Sequence, residues 1–246
     1  MHKTNSHLAH TIPEMLAVVA LMVIIIALLL PALGGAKDTA HNAICMSNLH
    51  QQGLGLIGYA VTSGYYPGAH TWTHDAPQYW IIWPSRIREY MNHQDTEWFW
   101  CPIAPDKSQW TVSFGSGLNN EYGYQLDETR LLWSTPFSYG YNNWGSTDFS
   151  IPQVGLGGLS EHKDWGELKK SKVKRPSNMV ALGDAQVDGI WDAFIDTNQA
   201  AELPANRHPG DTANIAYCDG HVRGYKLEDI LAPADIGQWN NDGKIH

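Results

Sequence analysis

The sequence predicts an α+β fold, in which a long N-terminal transmembrane helix continues into an antiparallel β-sheet domain with long loops. Three observations predict it. Residues 15–33 form a nearly continuous apolar run, MLAVVALMVIIIALLLPAL, and no residue between Glu14 and Lys37 is charged. Beyond that run, Cys45, Leu49, Gln52, Leu56 and Tyr59 recur at spacings of four and three, which places them on one helix face. Short β-forming segments then follow, the clearest being residues 178–184 and the two arms that flank Asp219-Gly220.

The apolar run sets the organisation. As a helix its nineteen residues rise about 28 Å, close to the roughly 30 Å of a bilayer's hydrocarbon core. A secretory signal is the competing explanation, because Gly34 and Ala36 are small residues at a plausible cleavage spacing, and a cut there would release a soluble chain starting at Lys37. Glu14 argues for a retained anchor. A carboxylate at the membrane edge costs at least a few kcal/mol unless it is paired, and a signal peptide has no use for one. A cut after Ala9 would place the new α-amino group four residues before Glu14, where it, or the amine of a neighbouring subunit, neutralises the acid. Pro13 then falls in the first helical turn, where a missing N–H costs nothing. Pro31 lies inside the run and is expected to kink or locally melt the helix. The resulting division is a leader over 1–9, a helix over 10–60 (membrane span about 12–33, then an amphipathic half) and an extracytoplasmic α+β domain over 61–246.

Residues 9–14, AHTIPE, with the apolar run behind them, resemble the cleavage and methylation motif of type IV prepilins and type II secretion pseudopilins. The resemblance makes Ala9 the residue before the cut, His10 the first mature residue and Glu14 the fifth. Pro31 then falls at mature position twenty-two, where many type IV pilins also carry a proline. Ala9 stands where the family has Gly, and His10 where it has Phe, which puts methylation of the first residue in question.

Within the domain, residues 79–91 are expected to form a helix broken or begun near Pro84, 98–101 to form a short strand closed by Pro102, and 137–142 to form another. Lys169 to Arg175 read as a solvated basic loop, and 178–184 as a strand. Gly34, Gly35, Gly53, Gly55 and Gly58 lower helix propensity by about 1 kcal/mol each, or let neighbouring helices approach closely. Asp219-Gly220 suits a two-residue type I′ turn. In that register Cys218 pairs with His221 and Tyr217 with Val222, and Ile215, Tyr217 and Val222 share one face.

This C-terminal region is similar to the processing-associated H-X9-DG signature of DUF1559-related proteins with prepilin-type N-termini. His208 and Asp219-Gly220-His221 carry the likeness, with ten residues in place of nine between His208 and Asp219; the extra residue is assigned to the 209–212 turn. Cys45-Met46-Ser47-Asn48-Leu49, Gly64-Tyr65-Tyr66-Pro67, Cys101-Pro102, Ser138-Tyr139-Gly140-Tyr141-Asn142 and Pro176-Ser177 extend it. The resemblance implies a structural subunit of the inner membrane with its C-terminal domain in the periplasm or on a surface filament. It also implies, as partners, prepilin peptidase, other pilin-like subunits, an inner-membrane assembly platform and membrane lipid.

Composition bounds the remaining chemistry. A net charge of −9 leaves no cationic surplus for phosphates, so no nucleic-acid partner is expected. Eleven tryptophans are read chiefly as core packing, with a sugar-stacking surface as the sharper alternative. Three cysteines allow one disulfide and one free thiol in an oxidising compartment; Cys45 and Cys101 are the candidate pair with Cys218 free, although sequence does not fix pairing. H-E-x-x-H, G-x-S-x-G and P-loop motifs are all absent. Asp184, His208, Asp219 and His221 are the weak metal candidates, and His208 is expected to clasp its loop against the Asp219 turn instead. The expected protein is therefore not an enzyme and carries no cofactor; a glycan-binding protein, secreted or tethered, and a membrane-tethered metal-dependent hydrolase are the rivals.

Overall fold

A computed structural model describes residues 11–72, 80–91, 95–111, 131, 135–143, 154–157, 159–160, 167–189, 191–197 and 199–244. The leader, Ala9 and His10 lie outside the described residues. Helix α1 runs unbroken over Ile12–Ser63. Strands β1 (Tyr65–Tyr66), β2 (His70–Trp72) and β3 (Trp80–Ile82) follow, then helix α2 (Trp83–Arg88), β4 (Tyr139–Asn142), β5 (Leu159–Ser160), β6 (Leu168–Lys169), β7 (Val180–Asp184), β8 (Phe194–Ile195), β9 (Thr212–Tyr217), β10 (Val222–Lys226) and α3 (Leu227–Ile230). The chain thus has a long apolar N-terminal helix followed by a mixed α/β domain with antiparallel sheets.

The helix starts where its sequence supplies a cap. Thr11 O accepts the first intrahelical bond, from Met15 N (3.1 Å), and Glu14 Oε2 accepts the Thr11 N–H (2.8 Å). Thr11 and Glu14 are thus spaced as a capping box, with the N3 carboxylate returning to the N-cap amide. Pro31 does not end the helix, and the expected local melting is not seen. Its missing N–H removes one intrahelical bond, and the turns on either side carry the helix on. Met1–Ala40 and His41–His246 form two compact units, the second of which takes in the last part of the helix. In the first unit the side chains from Met15 to Leu33 are exposed, as in a segment long and apolar enough to cross a membrane.

In the second unit, a five-stranded sheet has the order β10-β9-β7-β4-β8, antiparallel except for the parallel β4–β8 pair. Two smaller sheets, β1-β6 and β3-β2-β5, accompany it. One face of the large sheet carries Leu182, Ala216 and Cys218 against Leu49 and Leu56 of α1 and the rings of Trp83, Phe99 and Phe137. The other carries Val180, Ile215 and Tyr217 against Ile230 and Trp239. Burial on both faces explains why Val180, Ala181 and Leu182 are apolar without alternation, with every residue of β7 buried.

Two expectations are corrected here. Residues 98–101 are not a strand: Thr96–Phe99 is a 3-10 turn. Their carbonyls bond to helix side chains instead of a ladder, Gln52 Nε2 donating to Trp98 O (2.7 Å) and Asn48 Nδ2 to Trp100 O (2.9 Å). The hairpin turn is also one residue longer than expected. Val222 pairs with Ala216, and Tyr217 N donates to His221 O (3.0 Å), which leaves Cys218, Asp219 and Gly220 as a three-residue loop. Gly220, at φ 90°, takes the left-handed position that closes such loops. The one-residue shift flips the second arm: Val222 joins Ala216 and Cys218, while His221 stacks on Tyr217 at 4.3 Å between ring centroids.

The helix glycines also find their explanation within the chain. A Cβ at Gly55 would lie 2.6 Å from Met91 Cγ and 3.0 Å from Ile87 O, and one at Gly58 2.9 Å from Tyr90 Cβ. Gly55 and Gly58 admit α2 and the turn after it against α1, while Gly34 and Gly35 face open space.

Candidate functional site

The segments that carry the family resemblance hold one another. Ser138 Oγ accepts the Cys101 N–H (2.9 Å) and donates to Phe99 O (3.4 Å). Tyr141 OH donates to Pro67 O (3.0 Å), and Asn142 Nδ2 donates to Val180 O (2.8 Å) and Trp239 O (2.9 Å). His50 Nδ1 lies 2.7 Å from Gly220 O, and a Cβ on Gly53 would sit 3.4 Å from Gly220 Cα, so the Asp219-Gly220 turn docks on α1.

Beneath this framework lies a buried polar cluster. Asp184, at the end of β7, accepts through Oδ2 from Asn214 N (2.6 Å) of β9 and from His208 Nε2 (2.9 Å). Both side chains of the Asp184–His208 pair are fully buried. The backbone of His208 bridges to Thr212 across a turn in which Gly210 and Asp211 both take positive φ. Arg207 Nη2 donates to Ala185 O. Burial lowers the Arg207 pKa, and the negative charge of Asp184 opposes that shift. Asp184 Oδ1 and His208 Nδ1 are buried with no hydrogen-bond partner.

The four weak metal candidates therefore do not converge as one set. Asp184 and His208 form the buried pair, whereas Asp219 and His221 form a half-exposed pair at the hairpin tip, with Asp219 Oδ1 2.6 Å from His221 Nδ1. The clasp expected of His208 closes on Asp184 of β7, not on the Asp219 turn, because the hairpin carries Asp219 outward. Cys45 and Cys101 are joined by a disulfide with a Cα–Cα distance of 5.2 Å, and Cys218 is free and buried. Burial pushes the Cys218 thiol pKa upward, so it stays protonated. His208 Nε2 lies 3.9 Å from Cys101 Sγ. Among the described residues, the donor atoms of Cys45, Cys101 and His208 make the group placed to hold a metal ion, all within 4.8 Å of one another. The sequence paired Cys45 with Cys101 but did not bring His208 to them, since no spacing along the chain links the helix to the loop before β9.

The tryptophans divide. Trp83 and Trp239 are core residues, while Trp98, Trp100 and the buried Trp110 line a cavity of about 790 Å³ beside α1.

A second polar group lies in the 188–202 loops. Burial, then the neighbouring Asp196 carboxylate, pushes Glu202 up to about 8, and burial raises Asp192 to about 6. A carboxyl raised in the folded state favours the fold fully below its ordinary value of 4.5, and that contribution is lost as pH rises to about 8. The urea midpoint should therefore fall between pH 5 and pH 9, and Glu202→Gln should flatten the fall. A midpoint that rises over that range, or a slope the variant leaves unchanged, would contradict the assignment.

Comparison with protein-family models, curated proteins and solved structures finds no match to this chain.

Proposed function

We propose that this chain is a structural, pseudopilin-like subunit, cut between Ala9 and His10 by prepilin peptidase and held in the inner membrane by the apolar part of α1. In this reading its C-terminal domain faces the periplasm or a surface filament, as part of a type II secretion or type IV pilus-like system. The observation that carries the reading is the continuity of α1. One helix presents exposed apolar side chains in its first part and supplies Cys45, Asn48, Leu49, Gln52 and Leu56 to the domain core in its last. The family-type spacing of Ala9, His10 and Glu14 adds the processing step.

Glu14 is the residue to test, because it has two possible tasks. Its carboxylate caps its own helix through Thr11 N, and it stands where the amine of a neighbouring subunit would pair with it. Glu14→Gln keeps an acceptor for the cap and removes the charge; Glu14→Ala removes both. If subunit pairing is the task, both variants insert normally and lose in-membrane crosslinks between α1 helices about equally, by roughly tenfold, as expected when about 1.4 kcal/mol of pairing energy is removed. Crosslinking that survives in Glu14→Gln would reduce the residue to a cap, worth about 1 kcal/mol to the helix start.

A further inference from the structure

The disulfide joins two cysteines that share their burial with an imidazole. Cys45, Cys101 and His208 are drawn from α1, the segment after the 3-10 turn and the loop before β9, and their donor atoms lie within 4.8 Å of one another. We propose that in the dithiol state Cys45, Cys101 and His208 bind a zinc-type divalent ion, with Asp184 supplying the oxygen for a fourth position. The staple between helix and domain then exists in two mutually exclusive forms, one a disulfide and one a metal thiolate.

One edge of such a site is already in place. Tetrahedral zinc with Zn–S near 2.3 Å and Zn–N near 2.05 Å separates sulfur from nitrogen by about 3.6 Å and sulfur from sulfur by about 3.8 Å. Cys101 Sγ already stands 3.9 Å from His208 Nε2, so cleaving the S–S bond and letting the two sulfurs part opens the remaining space. The chemistry of the surroundings fits as well. Two thiolates neutralise a divalent ion, so the metal adds no net charge to a buried site, and Arg207 offsets Asp184. His208 Nδ1 has no partner in the disulfide form, so it can accept the ring proton when Nε2 turns to the metal. Asp184 Oδ1 is likewise buried and unpartnered. Its Oδ2 stays bonded to Asn214 N, which fixes the carboxylate in the way that outer partners orient metal ligands.

The steps balance. A phosphine with one water reduces the disulfide to two thiols and becomes the phosphine oxide. The two thiols then bind the ion and release two protons, while the imidazole proton moves from Nε2 to Nδ1. In the reverse direction a disulfide-class oxidant takes the electron pair, the S–S bond forms and the ion leaves.

The test uses the full chain in detergent micelles. The disulfide form and the phosphine-reduced form, the latter showing all three thiols by titration, each receive zinc, and bound metal and melting temperature are measured. The expected result is one zinc per reduced chain with a raised melting temperature, and none on the disulfide form. His208→Ala should weaken zinc binding by at least tenfold, whereas His221→Ala and Cys218→Ser should leave it unchanged. Because His208→Ala also removes the Asp184 contact and can unfold the domain, cobalt is added to the reduced wild type as an independent readout. A thiolate charge-transfer band with intense tetrahedral d–d bands supports the site, and weak octahedral bands overturn it. So does zinc bound without a rise in melting temperature, a reduced chain that binds none, or a folded His208→Ala chain with unchanged affinity.

Discussion

Replacing Cys45 and Cys101 together with alanine is expected to cost the domain about 4 kcal/mol, the figure for cross-linking residues 56 apart in a chain whose unfolded state is otherwise unconstrained. The disulfide is the first of three ties between α1 and residues 98–101. Cys45, Asn48 and Gln52 lie on one helix face and engage Cys101, the Trp100 carbonyl and the Trp98 carbonyl in turn. The other two ties are hydrogen bonds worth about 0.5–1.5 kcal/mol each, so the covalent tie dominates. Urea unfolding of the metal-free chain in detergent, followed by the near-ultraviolet signal of the core tryptophans, measures the loss. A double variant within 1 kcal/mol of wild type would mean that the two hydrogen bonds and the packing of Leu49 and Leu56 hold the helix without it.

Asp184→Ala should be comparably damaging, at about 3–5 kcal/mol, because it strands donors in the core instead of removing a matched pair. Asn214 N and His208 Nε2 both lose their acceptor, and Arg207 loses a nearby counter-charge. Asp184→Asn keeps one carbonyl oxygen that can still accept from Asn214 N, so it should recover part of the loss. The measurement is again the unfolding midpoint, now for three chains. Equal, small effects of the two substitutions would show that water satisfies these donors and that the cluster does not fasten β7 to β9.

Where a local signal was strong, the sequence showed the structure. The apolar run and the three-four spacing from Cys45 to Tyr59 mark α1, although the helix ends at Ser63, four residues beyond Tyr59. The segment 178–184 contains β7, and 137–142 contains β4. The failures share one cause, competition between local and tertiary partners. Asp-Gly fits a two-residue turn by preference, but docking of Gly220 on His50 and Gly53 selects a three-residue loop and reverses the facing of Val222. Residues 98–101 have strand-forming side chains, yet α1 takes their carbonyls. Thr11 and Glu14 have the spacing of a capping box, so the carboxylate has a partner within its own helix as well as a place for an amine. The Cys45–Cys101–His208 group was not legible as a set, since each member comes from a different part of the chain and only the fold brings them together.

The central claim, a pseudopilin-like subunit made as a precursor, is tested most directly by the N-terminus of the mature protein. Intact mass and N-terminal sequencing of chain extracted from membranes should find a protein that begins at His10, with the apolar part of α1 retained. A mature chain beginning at Lys37 would make the apolar run a cleaved signal and contradict the account, and a chain still beginning at Met1 would remove the processing step on which the subunit reading depends.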